Sequence, residues 1–340
     1  MGQQRQSGIE LLRLLAMFGI VLSHWGGHGS WELTPDNTNL INKVFIQLTQ
    51  YFGEVGNCIF VMITGFFLAS RDSMNTKGLM RVVKDVKFYA FTTWLLVVAL
   101  GFVKFSITGG VLSLLPIIYS QYWFVAPFLL VLVLSPCLNK LLLAFTDKQR
   151  KWYFALLLAI ELVLPLIFAK TVSSNLGAFV LFYSIGAQLR YLPELENKLM
   201  RYNKGLSIAG FGLAIASILL LDIVTPVLGF TANLSMHFIG RFSILPIIGA
   251  LGLFLLFSKM NITSTIINLL AQSAFAVYLI SENPNVYPWF WKRVFDNIDY
   301  FNTSYMIGVA LLQCAIVFVT CITIDMLYKR LQKLIEFRHR

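Results

Sequence analysis

Arg13 and His24 stand eleven positions apart in the first apolar stretch of the chain, and Glu10 lies three residues before the arginine. On an α-helix eleven positions make about three turns and about 16 Å, so both side chains leave from one face. Their neighbours are Leu11, Leu12, Leu14, Leu15, Met17, Phe18, Ile20, Val21 and Leu22, the composition of a membrane span. An ionisable side chain inside a membrane is costly and marks a polar cavity, a partner or a substrate path. Imidazole titrates near neutral pH and can abstract or deliver a proton, so His24 is a candidate general base; the plainer reading is a packed histidine. Arg13 also has two readings, an internal ion pair with Glu10 or an anion contact. His28 follows His24 at the i+4 spacing of a metal pair. Gly26 and Gly27 intervene and are expected to end the helix before it, so no metal site is assigned.

The elements that must carry these residues are membrane helices. Of 340 residues, 57% are hydrophobic and only 13% charged, with a mean hydropathy of +0.73. A soluble chain carries about a quarter charged residues. Stretches long enough to cross a bilayer core of about 30 Å recur near 8–26, 50–69, 88–107, 122–145, 152–170, 174–190, 206–224, 238–258, 264–282 and 304–328. They are continuously apolar, unlike the alternating strands of a membrane barrel. The expected fold is all-α: a polytopic membrane protein of about ten transmembrane helices, one integral-membrane domain over 1–340 with no soluble domain. Arg13 interrupts the first stretch and no small-residue cleavage site follows, so it is expected to be a retained span and not a signal peptide.

The net charge of +11 raises the question of a nucleic-acid partner, and its distribution answers it. With a cytoplasmic N-terminus, twenty basic residues fall on the inner side, from Arg5 through Arg71, Lys77 and Arg81 to the tail ending at Arg340. Six fall outside: Lys43, Lys104, Lys170, Arg241, Lys292 and Arg293. That asymmetry is the positive-inside signal, and an even number of spans returns the C-terminus to the cytoplasm. No nucleic acid is needed to explain the charge. Cys58, Cys137, Cys314 and Cys321 lie in apolar segments without a CxxC pair and read as small hydrophobes, not as a disulfide framework or a metal site. The longest expected outer loops are 27–49, 225–237 and 283–303. The last carries Tyr287, Trp289, Phe290, Trp291, Tyr300 and Phe301, which suit either an interfacial aromatic belt or a sugar-stacking surface.

Several segments in order carry a family resemblance. Glu10, Leu12-Arg13 and the ten-residue gap to His24 resemble the first-span signature of the acyltransferase-3 family of integral-membrane acyltransferases. Gly53-Glu-Val-Gly-Asn-Cys-Ile-Phe-Val-Met-Ile-Thr-Gly-Phe-Phe-Leu68 is similar to its second helix, with Thr64 where serine is usual, and a basic inner loop beginning at Arg71 follows. Tyr122-Trp123-Phe124 with Pro136, Arg241-Phe-Ser-Ile-Leu-Pro246 and Ala274-Phe-Ala-Val-Tyr-Leu-Ile280 resemble later family elements. The likeness runs from about residue 8 to 325. Many relatives read Tyr-Leu-Ile-His in the ninth span, where this chain has Tyr278-Leu-Ile-Ser281-Glu282. That removes a second histidine and leaves Glu282 or Glu54 as the carboxylate to orient His24.

The resemblance implies transfer of an acyl group, most often acetyl, from cytoplasmic acyl-CoA to a sugar hydroxyl of a lipid-linked or cell-surface polysaccharide, in a bacterial cell membrane. Acetyl-CoA would be the donor co-substrate, with no metal. A thioester is already activated, so the enzyme needs chiefly a base and a means of bringing two substrates together. His24 would be that base, or the carrier of an acetyl-histidine intermediate. Arg13, Arg71, Lys77 and Arg81 would meet the phosphates of CoA, although topology alone also explains the last three. Trp123 would wall the acyl channel or anchor at the interface. Arg241 would bind acceptor or pair with an acid, and Glu282 and Glu54 complete the candidate substrate side. The competing class is a transporter or flippase of lipid-linked glycans. No internal hydropathy repeat or matched pair of broken spans supports it.

Overall fold

The computed structural model describes residues 6–31, 39–168, 174–227, 234–295 and 297–338. Arg5, Lys170 and Arg340, and parts of the loops at 27–49 and 225–237, lie outside the described residues. Among the described residues there is no β-strand. The helices are α1 (Ser7–His28), α2 (Leu40–Leu68), α3 (Thr76–Ala99), α4 (Ile107–Leu114), α5 (Val125–Ala144) and α6 (Asp147–Leu158). A π-helical turn, Ala159–Val163, carries α6 into α7 (Leu164–Ile167). There follow α8 (Asn175–Tyr191), α9 (Pro193–Met200), α10 (Asn203–Val227), α11 (Ile244–Ser258), α12 (Thr265–Leu270), α13 (Ala274–Ser281), α14 (Tyr287–Trp289) and α15 (Met306–Arg338). Five of them, α1, α2, α5, α10 and α15, are long and apolar enough to cross a membrane. The chain is an all-helical membrane protein.

Helix boundaries depart from the apolar stretches where local chemistry extends or shortens them. Helix α1 does not stop at Gly26-Gly27 but continues through His28, and Gly29 ends it in an extended conformation (φ −64°, ψ 159°). Gly26 lies hard against the Thr49 side chain, so its missing Cβ serves a helix crossing and not a helix break. Helix α3 begins at Thr76, where the Asn75 side chain accepts from Gly78 N at 3.2 Å. Lys77, Arg81, Lys84 and Lys87 therefore sit on helix α3, whereas the sequence placed them in the loop before it. Conversely, Tyr122-Trp123-Phe124 and residues 238–243 form turns that precede α5 and α11.

Helix α2 is the centre of the molecule: 78% of its most apolar window is buried, against 17% for α10. Backbone approach makes this possible. Gly56 faces the Ala16 carbonyl, where an added Cβ would come within 2.5 Å, and Gly65 and Gly186 let α2 and α8 cross with carbonyls against backbone. Asn139 closes the C-terminal end of α2, donating to the carbonyls of Leu68 (2.7 Å) and Arg71 (2.9 Å) while accepting from Tyr183 (2.9 Å). Helix α1 runs parallel to the α12–α13 unit, start beside start and end beside end. At one end Ser7 Oγ accepts from Ser264 N at 3.0 Å, and at the other His28 meets Glu282. Between α12 and α13 the chain tightens into a 3₁₀ turn, Ala271–Ser273. Helix α15 flanks the pair, with Trp25 Nε1 donating to Gln313 Oε1 at 2.7 Å and Phe18 set edge-on to Phe318.

Candidate active site

The C-terminal end of α1 and the C-terminal end of α13 bring three ionisable side chains together. His24 Nδ1 stands 3.2 Å from Glu282 Oε2, with side chains only 11% and 14% exposed. The alignment falls short of a hydrogen bond, which leaves His24 Nδ1 buried without a hydrogen-bonded partner. His28 is better seated. Its Nε2 lies 3.2 Å and 3.0 Å from the two oxygens of Glu282. An ionised carboxylate only accepts, so His28 donates through Nε2–H. Its ring stacks on Tyr287 at 4.1 Å, and the two imidazole centroids are 5.8 Å apart.

Aromatic side chains enclose this group. Tyr278, one turn before Glu282 on α13, has its ring 6.1 Å from His24. Tyr278 also packs against Tyr122 and Phe124 at 5.8 Å and 5.9 Å. Tyr122 donates to the Leu279 carbonyl at 3.0 Å and accepts from Asn283 Nδ2 at 2.9 Å, tying the turn before α5 to the end of α13. The Ser281 hydroxyl is buried without a hydrogen-bonded partner.

A second charged group adjoins this one. The Arg241 guanidinium lies over the Trp123 ring at 4.0 Å, a cation–π contact. Arg241 interacts electrostatically with both Tyr278 and Glu54. Glu54, 3% exposed, accepts from Gln50 (3.2 Å) and Asn57 (3.4 Å). Glu282, and not Glu54, is thus the carboxylate beside His24. Among the described residues two hold left-handed backbone without being glycine, Ser120 (φ 48°) and Phe242 (φ 60°), and each lies within two positions of Tyr122 or Arg241. Such conformations persist where surrounding packing imposes them, and they gather at functional sites.

At the opposite end of α1, Arg13 Nη1 is 2.6 Å from Glu10 Oε2. The basic residues of α3 are not in that pair. Lys77, Arg81, Lys84 and Lys87 line an open cleft of about 760 Å³ with Asp85, Phe88, Tyr328 and Gln332. Phe88 and Tyr328 stack at 3.8 Å on its wall. Beside it, Asp325 accepts from Tyr89 Oη (2.6 Å) and from Lys329 Nζ (2.6 Å), and the same ammonium donates to the Gln272 carbonyl in the 3₁₀ turn (2.8 Å). Arg71 is exposed at the end of α2 and is not among the cleft residues.

A family model described as an acyltransferase domain, that of the acyltransferase-3 family, matches residues 6–328. The chain belongs to this family. No curated protein and no solved structure matches it. Within an acyltransferase-3 chain the two ends just described draw together most of the residues singled out from sequence: His24, Glu282, Trp123, Arg241 and Glu54 at one end, Lys77 and Arg81 at the other. Sequence reasoning missed His28, Tyr278, Tyr122 and Asn283. For His28 the signal existed, since i+4 spacing puts it one turn beyond His24 on one face. Tyr122 and Tyr278 stood within family-like motifs but carried no role of their own, because an aromatic in an apolar run reads as packing.

Proposed function

We propose that this acyltransferase moves an acetyl or other short acyl group from cytoplasmic acyl-CoA to a sugar hydroxyl of a lipid-linked or cell-surface polysaccharide, from within a bacterial cell membrane. In this reading all ten apolar segments span the bilayer and both termini are cytoplasmic, in keeping with the charge asymmetry. The observation that carries it is the approach of Glu282 to His24 in an enclosed, tyrosine-lined site of a family acyltransferase. A carboxylate at Nδ1 favours the tautomer whose Nε2 is the basic nitrogen and stabilises the imidazolium that forms. Catalytic contacts often lie loose until substrate is bound, which accounts for the imperfect alignment.

His24 takes the proton of the sugar hydroxyl as its oxygen attacks the thioester carbon. The C–O bond forms, the tetrahedral centre collapses, the C–S bond breaks, and the departing thiolate recovers the proton from the imidazolium. In the alternative route His24 Nε2 attacks first, the C–S bond breaks and the thiolate leaves as thiol with the proton that Nδ1 gives up. The sugar hydroxyl then attacks the acyl-imidazole, the C–N bond breaks and the hydroxyl proton returns to the imidazole. Release of CoA without acceptor marks this second route. Arg13, Arg71, Lys77 and Arg81 bind the donor's phosphates on the cytoplasmic side, and the extended pantetheine arm carries the thioester along α1 toward His24. Arg241 on Trp123, with Glu54, forms the acceptor side. No metal is required by either route.

His24→Ala is expected to abolish glycan acylation, a loss of about 10³-fold or more, with membrane levels of the protein unchanged. Purified protein given radiolabelled acetyl-CoA and acceptor glycan provides the measurement, and undiminished label transfer by the variant would overturn the assignment. Arg13→Lys keeps the charge but loses two-pronged phosphate contact. Its KM for acyl-CoA is expected to rise about tenfold at constant protein level.

A further inference from the structure

The acyl-transfer mechanism uses His24 and Glu282 and leaves His28 without a task, although His28 holds the carboxylate more closely than His24 does. Its Nε2 reaches both Glu282 oxygens, at 3.0 Å and 3.2 Å, and its ring is clamped on Tyr287 at 4.1 Å. The closest approach of His24 is Nδ1 to Oε2, at 3.2 Å and without hydrogen-bond alignment. We propose that His28 is a positioning residue of the transfer site, which fixes the Glu282 carboxylate and, through its own charge, governs how strongly that carboxylate supports His24. This rests on the acyl-transfer reading of the same site and assigns a residue which that reading does not need.

One carboxylate serving two imidazoles has a definite consequence. With His28 neutral, its Nε2–H bond steers Glu282 while the full negative charge remains available to the imidazolium of His24. With His28 protonated, the His28–Glu282 pair is neutral overall, and a cation stands with its ring 5.8 Å from that of His24. Protonation of His24 during transfer is then opposed. Among the described residues, the other titratable groups facing the trio are Tyr278 and Tyr122, both of which interact with Glu282, and Tyr287. Arg241 acts on Tyr278 from the acceptor side. None of these groups bridges the two histidines as Glu282 does.

The test compares wild type with His28→Gln, which keeps a donor but no charge, and His28→Leu, which keeps neither. Rate–pH profiles between about pH 5.5 and 8.5 span the range in which imidazoles titrate. His28→Gln is expected to change the shape of the acid limb relative to wild type, with a severalfold lower kcat. His28→Leu is expected to lose about 10- to 100-fold in kcat while its KM for acyl-CoA moves less than about twofold. Superimposable profiles for wild type and His28→Gln, or an undiminished kcat in His28→Leu, would overturn the proposal. A readout independent of transfer is the pH dependence of diethylpyrocarbonate modification at His24, followed by mass spectrometry. The half-point is expected to shift between wild type and His28→Gln, and an unshifted curve also overturns the linkage. If His24→Ala transferred acyl groups as wild type does, the base assignment would fail by itself, and the modification curves would still decide whether His28 controls His24.

Discussion

The His24 site and the α3–α15 cleft are built on opposite electrostatic plans. Around His24 the charges are enclosed and balanced: two imidazoles share Glu282, Arg241 acts on Glu54, and tyrosines fill the gaps. The cleft is open, and Lys77, Arg81, Lys84 and Lys87 face a single acid, Asp85, on its lining. An enclosed, balanced site holds fixed dipoles at low dielectric, where proton transfer and a developing charge gain most. An open surplus of cations captures a mobile anion from water and tolerates many poses. If the cleft takes the donor and the His24 site carries the chemistry, as proposed above, substitutions at the two ends should divide between KM and kcat.

The sharpest way to break this division is at the carboxylate. Glu282→Gln is nearly isosteric, keeps a hydrogen-bond acceptor for His28 and removes the charge beside His24. Its kcat is expected to fall about 10²-fold, with KM for acyl-CoA within about twofold of wild type. Steady-state kinetics on purified protein give both numbers. A rise in KM at constant kcat would instead make Glu282 a ground-state contact and erase the contrast.

Lys77→Ala/Arg81→Ala tests the other end. Removing two of four clustered cations is expected to raise KM for acyl-CoA about tenfold with kcat held. Added salt should weaken donor use by wild type more than by the double variant, because exposed charges are screened at about 10 Å in 0.1 M salt. Parallel losses of kcat would show that the cleft serves the chemistry, or the fold, as well as capture.

How far the sequence announced each end follows from the kind of signal involved. Arg13 and His24 were legible because a charge in an apolar helix has no cheap explanation, and helical periodicity alone sets their spacing. Glu282 was legible as a departure from Tyr-Leu-Ile-His. Its choice over Glu54 was not, since that depends on α1 and α13 lying side by side with their C-terminal ends together. His28 was hidden by Gly26-Gly27, a pair that reads as a helix stop until Thr49 is seen packed against Gly26. The contact between Trp123 and Arg241 joins two turns more than a hundred residues apart, and no local pattern encodes it. The basic residues of α3 were found but assigned to a loop, because hydropathy marks the apolar part of a helix and is blind to the charged turns that Asn75 caps. Lengths, apolar faces and costly charges are written locally; the juxtapositions that make a site are tertiary.

The smallest effect expected is also the most specific to the cleft, because it turns on the one acid among its cations. Burial pushes the half-buried Asp85 carboxyl above its ordinary range, and nearby Asp325 adds to this, while Lys329 and Arg81 pull the other way. Asp325 is itself committed to Tyr89 and Lys329. A protonated carboxyl is neutral, so as pH falls through the raised value of Asp85 the cleft gains one net positive charge and holds phosphate more tightly. The donor opposes this, because a phosphate monoester loses negative charge near pH 6. Asp85→Asn separates the two effects by fixing the cleft in its low-pH state. Near pH 7.5 the variant's KM for acyl-CoA is expected to lie about two- to threefold below that of wild type, as suits one partly screened charge. As pH falls through the raised range of Asp85 the two should draw together, since its charge is progressively lost and the phosphate titrates alike in both. A ratio of KM values independent of pH would mean that Asp85 does not face the donor, and the cleft would then be basic for topology alone.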